Sequence, residues 1–163
     1  YSSAASDVYK RQLLNFGPKP DGTLADKDVE ILHKLADWMR VNDECIHGTG
    51  LWRINQEGPT KIQEGQFADG ASRNFTSEDF RFTCRGGNVY AACMACPADG
   101  KLHIRSLREA DASHLPLWHG IVRKVEVLGN PAQAAWTRDG EALHVDLGDY
   151  QSDMPVVVKI ITD

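Results

Sequence analysis

The chain has 163 residues, of which 42% are hydrophobic, so it is long enough to bury the core of one ordinary domain. Its formal net charge of −5 excludes the basic surface that nucleic acids and anionic membranes require, so we expect neither as a partner. No stretch reaches the ~18 consecutive apolar residues that a membrane-spanning helix needs.

The first segment, residues 1–12, is rich in Ser and Ala and shows no hydrophobic periodicity. It runs into an apolar stretch without a turn or a helix cap. We interpret it as a non-native leader, similar to translated adapter sequence, and leave it out of the fold prediction.

The next segment predicts a strand, a loop and a helix. The apolar run at residues 13–16 reads as a strand, and residues 17–22 are dense in turn-forming types. A helix is predicted over residues 23–42, with Thr23 as its N-cap and Asp26 completing a capping arrangement. Its apolar side chains recur at three- and four-residue spacing and form one buried face: Ile31, Leu32, Leu35, Trp38 and Met39.

Residues 45–77 lack a hydrophobic pattern and are rich in Gly, Thr, Gln, Asn and Pro. A loop of this length is unusual inside a compact domain, so we predict a segment that connects two bodies or runs along the surface of one. Within it, Asn74 begins the N-glycosylation sequon Asn-Phe-Thr, in a suitably exposed place.

The C-terminal part, residues 78–163, predicts an antiparallel β-sandwich, so the fold class is mainly β. Short segments rich in β-branched and aromatic residues alternate there with turn signals. Strands are predicted at residues 80–84, 89–95, 102–106, 121–128, 134–138, 142–147 and 156–162. A chain that starts near Glu78 should therefore behave better in solution than the whole chain, whose helix exposes an apolar face.

Cysteine and histidine spacing gives no metal site. The four cysteines are too few and too irregular for a disulfide scaffold. Cys93 and Cys96 form a C-x-x-C pair, but a zinc ribbon needs a second pair and none follows, so we predict small buried core side chains instead. The remaining candidates, His33, His103 and His144, have no partner at metal-ligand spacing.

The segment between His114 and His119 leaves two readings open. The two histidines could be a ligand pair beside Trp118 acting as an aromatic sugar platform. A strand-connecting loop with one aromatic anchor is the commoner outcome for such a segment.

Two motifs carry a resemblance to a known family. Residues 13–23 read Leu-Leu-Asn-Phe-Gly-Pro-Lys-Pro-Asp-Gly-Thr, and residues 46–52 read Ile-His-Gly-Thr-Gly-Leu-Trp. With Trp38 between them, they resemble the end of the catalytic barrel in family 29 glycoside hydrolases, the α-L-fucosidases. The departures are His47, where the family usually has Tyr, and Gly50-Leu51, where Arg-Pro is commoner. Further similarities run through the C-terminal part of the chain to its last strand.

The resemblance implies a role for each part of the chain. Residues 13–44 would be the last strand and helix of a (β/α)8-type barrel, 45–77 the connecting segment, and 78–163 the family's C-terminal sandwich. Because such barrels build their active sites at the C-terminal ends of their strands, Asn15 is the candidate for a residue near the substrate pocket. Its alternative role is barrel packing.

The resemblance also implies the chemistry. These enzymes are retaining glycosidases that remove terminal α-L-fucose from glycans with two carboxyl groups about 5 Å apart. In the family both groups come from barrel elements upstream of the last strand, so no catalytic residue is assigned here and the fragment itself is expected to be inactive. The following carboxylates are interpreted as solvated or capping groups: Asp26, Asp28, Glu44, Glu57, Glu64, Glu78 and Asp79.

Partners and location follow from the same resemblance. A fucosylated glycan would bind through the missing barrel, no cofactor or metal is implied, and the parent protein would be secreted, periplasmic or lysosomal. The alternative function is a non-catalytic carbohydrate-binding or structural β-sandwich module.

Overall fold

The computed structural model describes residues 16–60, 74–110 and 116–163, which fall into two compact units. Of these residues, 16–43 belong to the first unit and all the others to the second. The predicted leader and Asn15 lie outside the described residues. Within the described ranges, no helix is long and apolar enough to cross a membrane.

The first unit contains helix α1, Asp26–Asn42. The helix is confirmed, but Thr23 is not its N-cap: Ala25 precedes the first turn and makes no side-chain capping bond. Thr23 instead donates its backbone N–H and its hydroxyl to Oδ1 of Asp21, at 3.0 and 2.7 Å. A carboxylate two residues upstream closes a local turn on Thr23, so its hydroxyl is engaged before the helix begins.

The charges of α1 suit a helix. Two carboxylates lie in the first turn and Arg40 in the last, which complements the helix dipole. Glu30 and Lys34 form an exposed ion pair at 3.3 Å, of a kind that contributes only about 0.3–0.5 kcal/mol. The predicted apolar face is half-buried rather than buried, and its member Ile31 is 48% exposed.

Within the described residues, the second unit is a β-sandwich of eight strands, so the mainly β prediction is confirmed. In chain order the strands are β1 Gly50–Glu57, β2 Phe80–Arg85, β3 Asn88–Cys93, β4 Lys101–Ile104, β5 Val122–Val127, β6 Ala135–Arg138, β7 Leu143–Asp146 and β8 Val156–Thr162. Every pairing is antiparallel, in a five-stranded sheet of order β1-β2-β3-β8-β5 and a three-stranded sheet of order β4-β7-β6. All seven predicted strands are present, and the one predicted at residues 102–106 ends in a 3-10 turn, Arg105–Leu107.

Strand β1 was not predicted, because its exposed and half-buried residues do not alternate over the whole strand. Trp52 and Ile54 face the core, while Leu51 is 57% exposed. The register against β2 shifts between Leu51 and Gln56, and this bulge or similar irregularity breaks the two-residue period. Part of the segment expected to be an irregular connection is therefore an edge strand of the larger sheet.

The core lies between the two sheets. Phe80 and Phe82 of β2 are buried with ring centroids 6.3 Å apart, and Trp52 packs on Phe82 at 4.9 Å. Cys93 is completely buried in this core, as predicted, and burial raises the pKa of its thiol to about 11. Cys96 is only half-buried at the edge of the cluster. Both thiols are free, so they act as packing groups.

Candidate functional site

A groove of about 370 Å³ runs along the outer face of the three-stranded sheet. Strand alternation builds it, because every second residue of a strand points away from the core. On β4 and β7 the inward residues are apolar, whereas the outward ones are charged or imidazole side chains. The polar groups that line the groove are Lys101, His103, Thr137, His144 and Asp146.

Two histidines meet in this groove. His103 of β4 pairs in register with His144 of β7, and their Nδ1 atoms are 2.7 Å apart. The rings meet edge to face, with centroids 4.9 Å apart and an interplanar angle of 74°. The sequence predicted no partner at metal-ligand spacing for either histidine. Their contact could not be read from spacing, because 41 residues of sequence separate side chains that the sheet register places opposite each other.

Asp139 orients this pair from the turn before β7. Its Oδ2 accepts from Nε2 of His144 at 3.0 Å, and its Oδ1 accepts from the N–H groups of Glu141 and Ala142. The backbone bonds from Ala142 and Glu141, and then the bond from His144, lower the pKa of Asp139 to about 2. An ionised Asp139 requires the proton of a neutral His144 on Nε2, so its Nδ1 presents a lone pair to His103.

The other end of the groove carries a pair of opposite charges. Lys101 of β4 and Asp146 of β7 are register partners. Each is the next outward-facing residue along its strand from the histidine. Thr137 of β6 lies opposite His144, and Ala135 lies opposite Asp146. The groove therefore offers hydrogen-bond donors and acceptors, but Asp146 is its one lining carboxylate. Throughout the described ranges, no group of three or more His, Cys, Asp and Glu side chains is arranged to hold a metal ion.

Carboxylates elsewhere in the second unit serve the fold. Glu57 caps the 3-10 turn by accepting from the N–H groups of Arg105 and Ser106, each at 2.8 Å. Glu44 accepts from Nζ of Lys159 at 2.9 Å and from the hydroxyl of Tyr90 at 3.2 Å. Because these bonds join residues far apart in sequence, spacing alone gave no sign of them.

Of the two roles expected for Asp79, a solvated group or a capping group, burial excludes the first, because Asp79 is completely buried. It accepts the backbone N–H and the hydroxyl of both Thr60 and Thr76. Burial raises its pKa, but these four bonds together outweigh burial and the net pKa lies below the usual value. Asp79 is therefore a buried anchor for two loop ends.

The structure decides between the two readings of Trp118. Its ring packs against the core and lies 6.5 Å from Trp52, and the Arg138 guanidinium lies 5.1 Å above it. This is an aromatic anchor rather than a sugar platform. His119 is exposed, and His114 lies outside the described residues.

The two remaining candidate residues are not brought to the groove by any described contact. Asn15 lies outside the described residues. Asn74 is exposed at the start of the stretch before β2, and the sequon's Thr76 hydroxyl donates to Asp79 at 2.9 Å.

Comparison of the sequence with known proteins shows which proteins the chain resembles. It is 27% identical over 127 residues to the tissue α-L-fucosidase of Rattus norvegicus, a match that covers 78% of this chain and 22% of that protein. The chain is similar in sequence to the α-L-fucosidases. Another α-L-fucosidase, from Dictyostelium discoideum, is 31% identical over 90 residues, which is 55% of this chain and 16% of that protein. No protein-family model matches the chain.

The fold agrees with this relationship. The structure of the Thermotoga maritima α-fucosidase matches 91% of this chain and 30% of its own, with a TM-score of 0.62 and 20% identity. The predicted relationship to α-L-fucosidases, as a match to their C-terminal part, is thereby confirmed. The chain spans about a fifth of the length of the curated relatives that it matches.

Proposed function

We propose that this chain is the C-terminal portion of a retaining exo-glycosidase that removes terminal α-L-fucosyl residues from glycans. The observation that carries the proposal is the similarity to the rat tissue α-L-fucosidase over 127 residues. The fucosylated substrate would bind to the catalytic barrel, and the β-sandwich would be a supporting domain.

We further propose that the chain by itself does not hydrolyse fucosides. Retaining hydrolysis needs two carboxyl groups about 5 Å apart on either side of the scissile bond. Among the described residues, one carboxylate, Asp146, lines the groove on the three-stranded sheet, and one, Glu126, lines a second groove along β5. Asp79 and Glu57 are saturated by hydrogen bonds that hold loops, which leaves them unsuited to attack a sugar.

The assay of the isolated chain with a chromogenic α-L-fucoside tests this proposal, with a whole α-L-fucosidase as positive control. Turnover at the level of the buffer blank is expected. Turnover above the blank that Asp146→Asn abolishes would overturn the claim of inactivity, because Asp146 is the carboxylate in the larger groove. Joining the chain to a fucosidase barrel tests the family role, and a soluble, active hybrid is expected.

A carbohydrate-binding role is the second candidate, and the groove of about 370 Å³ favours it. That volume lies within the range of small-ligand sites, and its lining groups can bond sugar hydroxyls. A titration of the chain with fucosylated oligosaccharides, followed by amide chemical shifts, tests it. Shifts confined to Lys101, Thr137 and Asp146 would favour binding there, and no shift at millimolar sugar would exclude it.

A further inference from the structure

We propose that His103 and His144 bind one divalent transition-metal ion through their two Nδ1 atoms, with Cu²⁺ held most tightly. This goes beyond the proposed fucosidase role and does not depend on it. The two nitrogens already face each other 2.7 Å apart on neighbouring strands. Neutral imidazole is a preferred ligand of copper, nickel and zinc ions.

The separation of the nitrogens favours a particular coordination geometry. Metal–imidazole bonds of about 2.0–2.1 Å place two nitrogens about 2.9 Å apart at a right angle and about 3.3 Å apart at a tetrahedral angle. The observed 2.7 Å is therefore close to the right-angled arrangement. Square-planar or tetragonal sites of this kind suit Cu²⁺ and Ni²⁺ better than Zn²⁺.

The supporting contact resembles that of a metal-binding histidine. Ligating histidines usually donate their second ring N–H to a carboxylate, which fixes the tautomer and raises the basicity of the ligating nitrogen. Asp139 accepts from Nε2 of His144 at 3.0 Å, so Nδ1 is the nitrogen left for an ion. The pair is accessible, because His103 is exposed and the side chain of His144 is 27% exposed.

The charges that face the pair favour a cation. Asp139 lies beside His144, and Asp146 lies one outward position along from the histidines. Lys101, the register partner of Asp146, is the opposing positive charge. Asp139, Asp146 and Lys101 together give the surroundings of the histidine pair a net negative charge, while β6 contributes the uncharged Thr137 and Ala135.

Binding replaces the hydrogen bond between the rings. If a neutral His144 donates its Nε2 proton to Asp139, the proton between the rings belongs to Nδ1 of His103, and the ion requires that proton to move to Nε2 of His103. Since both ligands must be unprotonated, acid should release the ion. With two protein ligands, water or another small ligand would complete the coordination sphere.

The test titrates the full chain with Cu²⁺, Ni²⁺ and Zn²⁺ separately by calorimetry, in a Cys84→Ser, Cys96→Ser background that removes the half-buried thiols. One ion per chain is expected, with Cu²⁺ tightest. His103→Ala and His144→Ala should each weaken binding by tenfold or more. Asp139→Asn should weaken it by ~10–100-fold, the usual effect of removing a group that orients a ligand. The matched control, His119→Ala, changes another exposed histidine and should leave the affinity unchanged.

Binding that survives in both His103→Ala and His144→Ala would overturn the proposal, as would the absence of a one-to-one isotherm. Electron paramagnetic resonance of the Cu²⁺ complex gives an independent readout, because hyperfine coupling to two imidazole nitrogens is expected and coupling to one or none would contradict the site. If either alanine variant fails to fold by circular dichroism, His103→Gln and His144→Gln replace it. Tighter binding of Zn²⁺ than of Cu²⁺ would overturn the proposed order.

Discussion

Thr60 and Asp79 are joined by two hydrogen bonds across 19 residues, from the Thr60 N–H to Oδ1 at 2.9 Å and from its hydroxyl to Oδ2 at 2.8 Å. Thr76 donates its N–H and hydroxyl to the same Oδ2, at 2.7 and 2.9 Å. One buried carboxylate therefore holds both flanks of residues 61–73 next to the first residue of β2.

Replacing Asp79 with Ala should destabilise the second unit by about 2–4 kcal/mol, because four donors lose a charged acceptor in a buried place. The free energy of unfolding in urea measures this change. Asp99→Ala is the matched control, since Asp99 is exposed and accepts one N–H, that of Lys101. A loss no larger than that of the control would refute the anchoring role of Asp79.

The same carboxylate predicts a dependence of stability on pH. Its pKa is lowered in the folded protein, so its stabilising contribution is complete above the unfolded value of about 3.9 and is lost as the pH falls through the lower folded value. The difference in unfolding free energy between the natural chain and Asp79→Asn should therefore be constant from about pH 5 to 7 and shrink below about pH 4. Measurements at steps of ~1 pH unit test this. A constant difference down to acid unfolding would contradict this assignment.

Gly58 should not tolerate a side chain. Its φ is +121°, and an added Cβ would lie 2.4 Å from Oδ1 of Asp79 and 2.6 Å from the Glu78 carbonyl oxygen. We expect Gly58→Ala to cost about 3 kcal/mol or more in unfolding free energy, from backbone strain and from displacement of Asp79. Gly148→Ala is the control, because Gly148 also has a positive φ but no atom within 4 Å of an added Cβ, so it should cost only about 1 kcal/mol. Equal losses in the two variants would exclude the steric contribution.

Arg138 should be needed for the order of the chain around Trp118. Its guanidinium donates to the carbonyl oxygens of Gly120 at 2.9 Å and Arg108 at 3.0 Å, as well as to that of Leu107. Burial lowers its pKa.

We expect Arg138→Met to cost about 2–4 kcal/mol, since several part-buried carbonyl groups lose their donor. Arg138→Lys should recover only part of this loss, because an ammonium lacks the planar fork that reaches several acceptors. Arg123→Met, which breaks an exposed pair with Asp163, should leave the free energy of unfolding nearly unchanged, because solvent screens such pairs. Full recovery by Arg138→Lys would show that the positive charge alone matters, and would refute the role given to the planar guanidinium group.

The boundary of the sandwich is also testable. A chain from Glu78 onward loses β1, the Glu57 cap and the contact of Glu44 with Lys159. Removing the core contacts of Trp52 and Ile54 alone should cost about 3 kcal/mol or more. A chain that begins at Glu44 should therefore melt cooperatively and at a higher temperature than one that begins at Glu78. The expectation from sequence compared a start near Glu78 with the whole chain only, and it stays a prediction. Equal melting temperatures of the two shorter chains would contradict the stabilising role given to β1.

The sequence by itself determined the class of fold and the relationship of the chain. In β7, Leu143 and Val145 alternate with polar neighbours, and that two-residue period predicts a strand whatever its partners are. Glycine pairs such as Gly86-Gly87, with φ of +57° and +86°, mark a tight hairpin because few other residues adopt that backbone. The family motifs are equally local, since they are read along the chain.

Only the tertiary structure decided which distant side chains meet. His103 and His144 are 41 residues apart, and a shift of one residue in the register of β4 against β7 would point one of them into the core. Asp79 looks like any polar residue before a strand, and its burial depends on Thr60 folding back over it. Local patterns record the preferences of the backbone, whereas register and burial arise from pairing across the whole sandwich, and the candidate site is built from the latter.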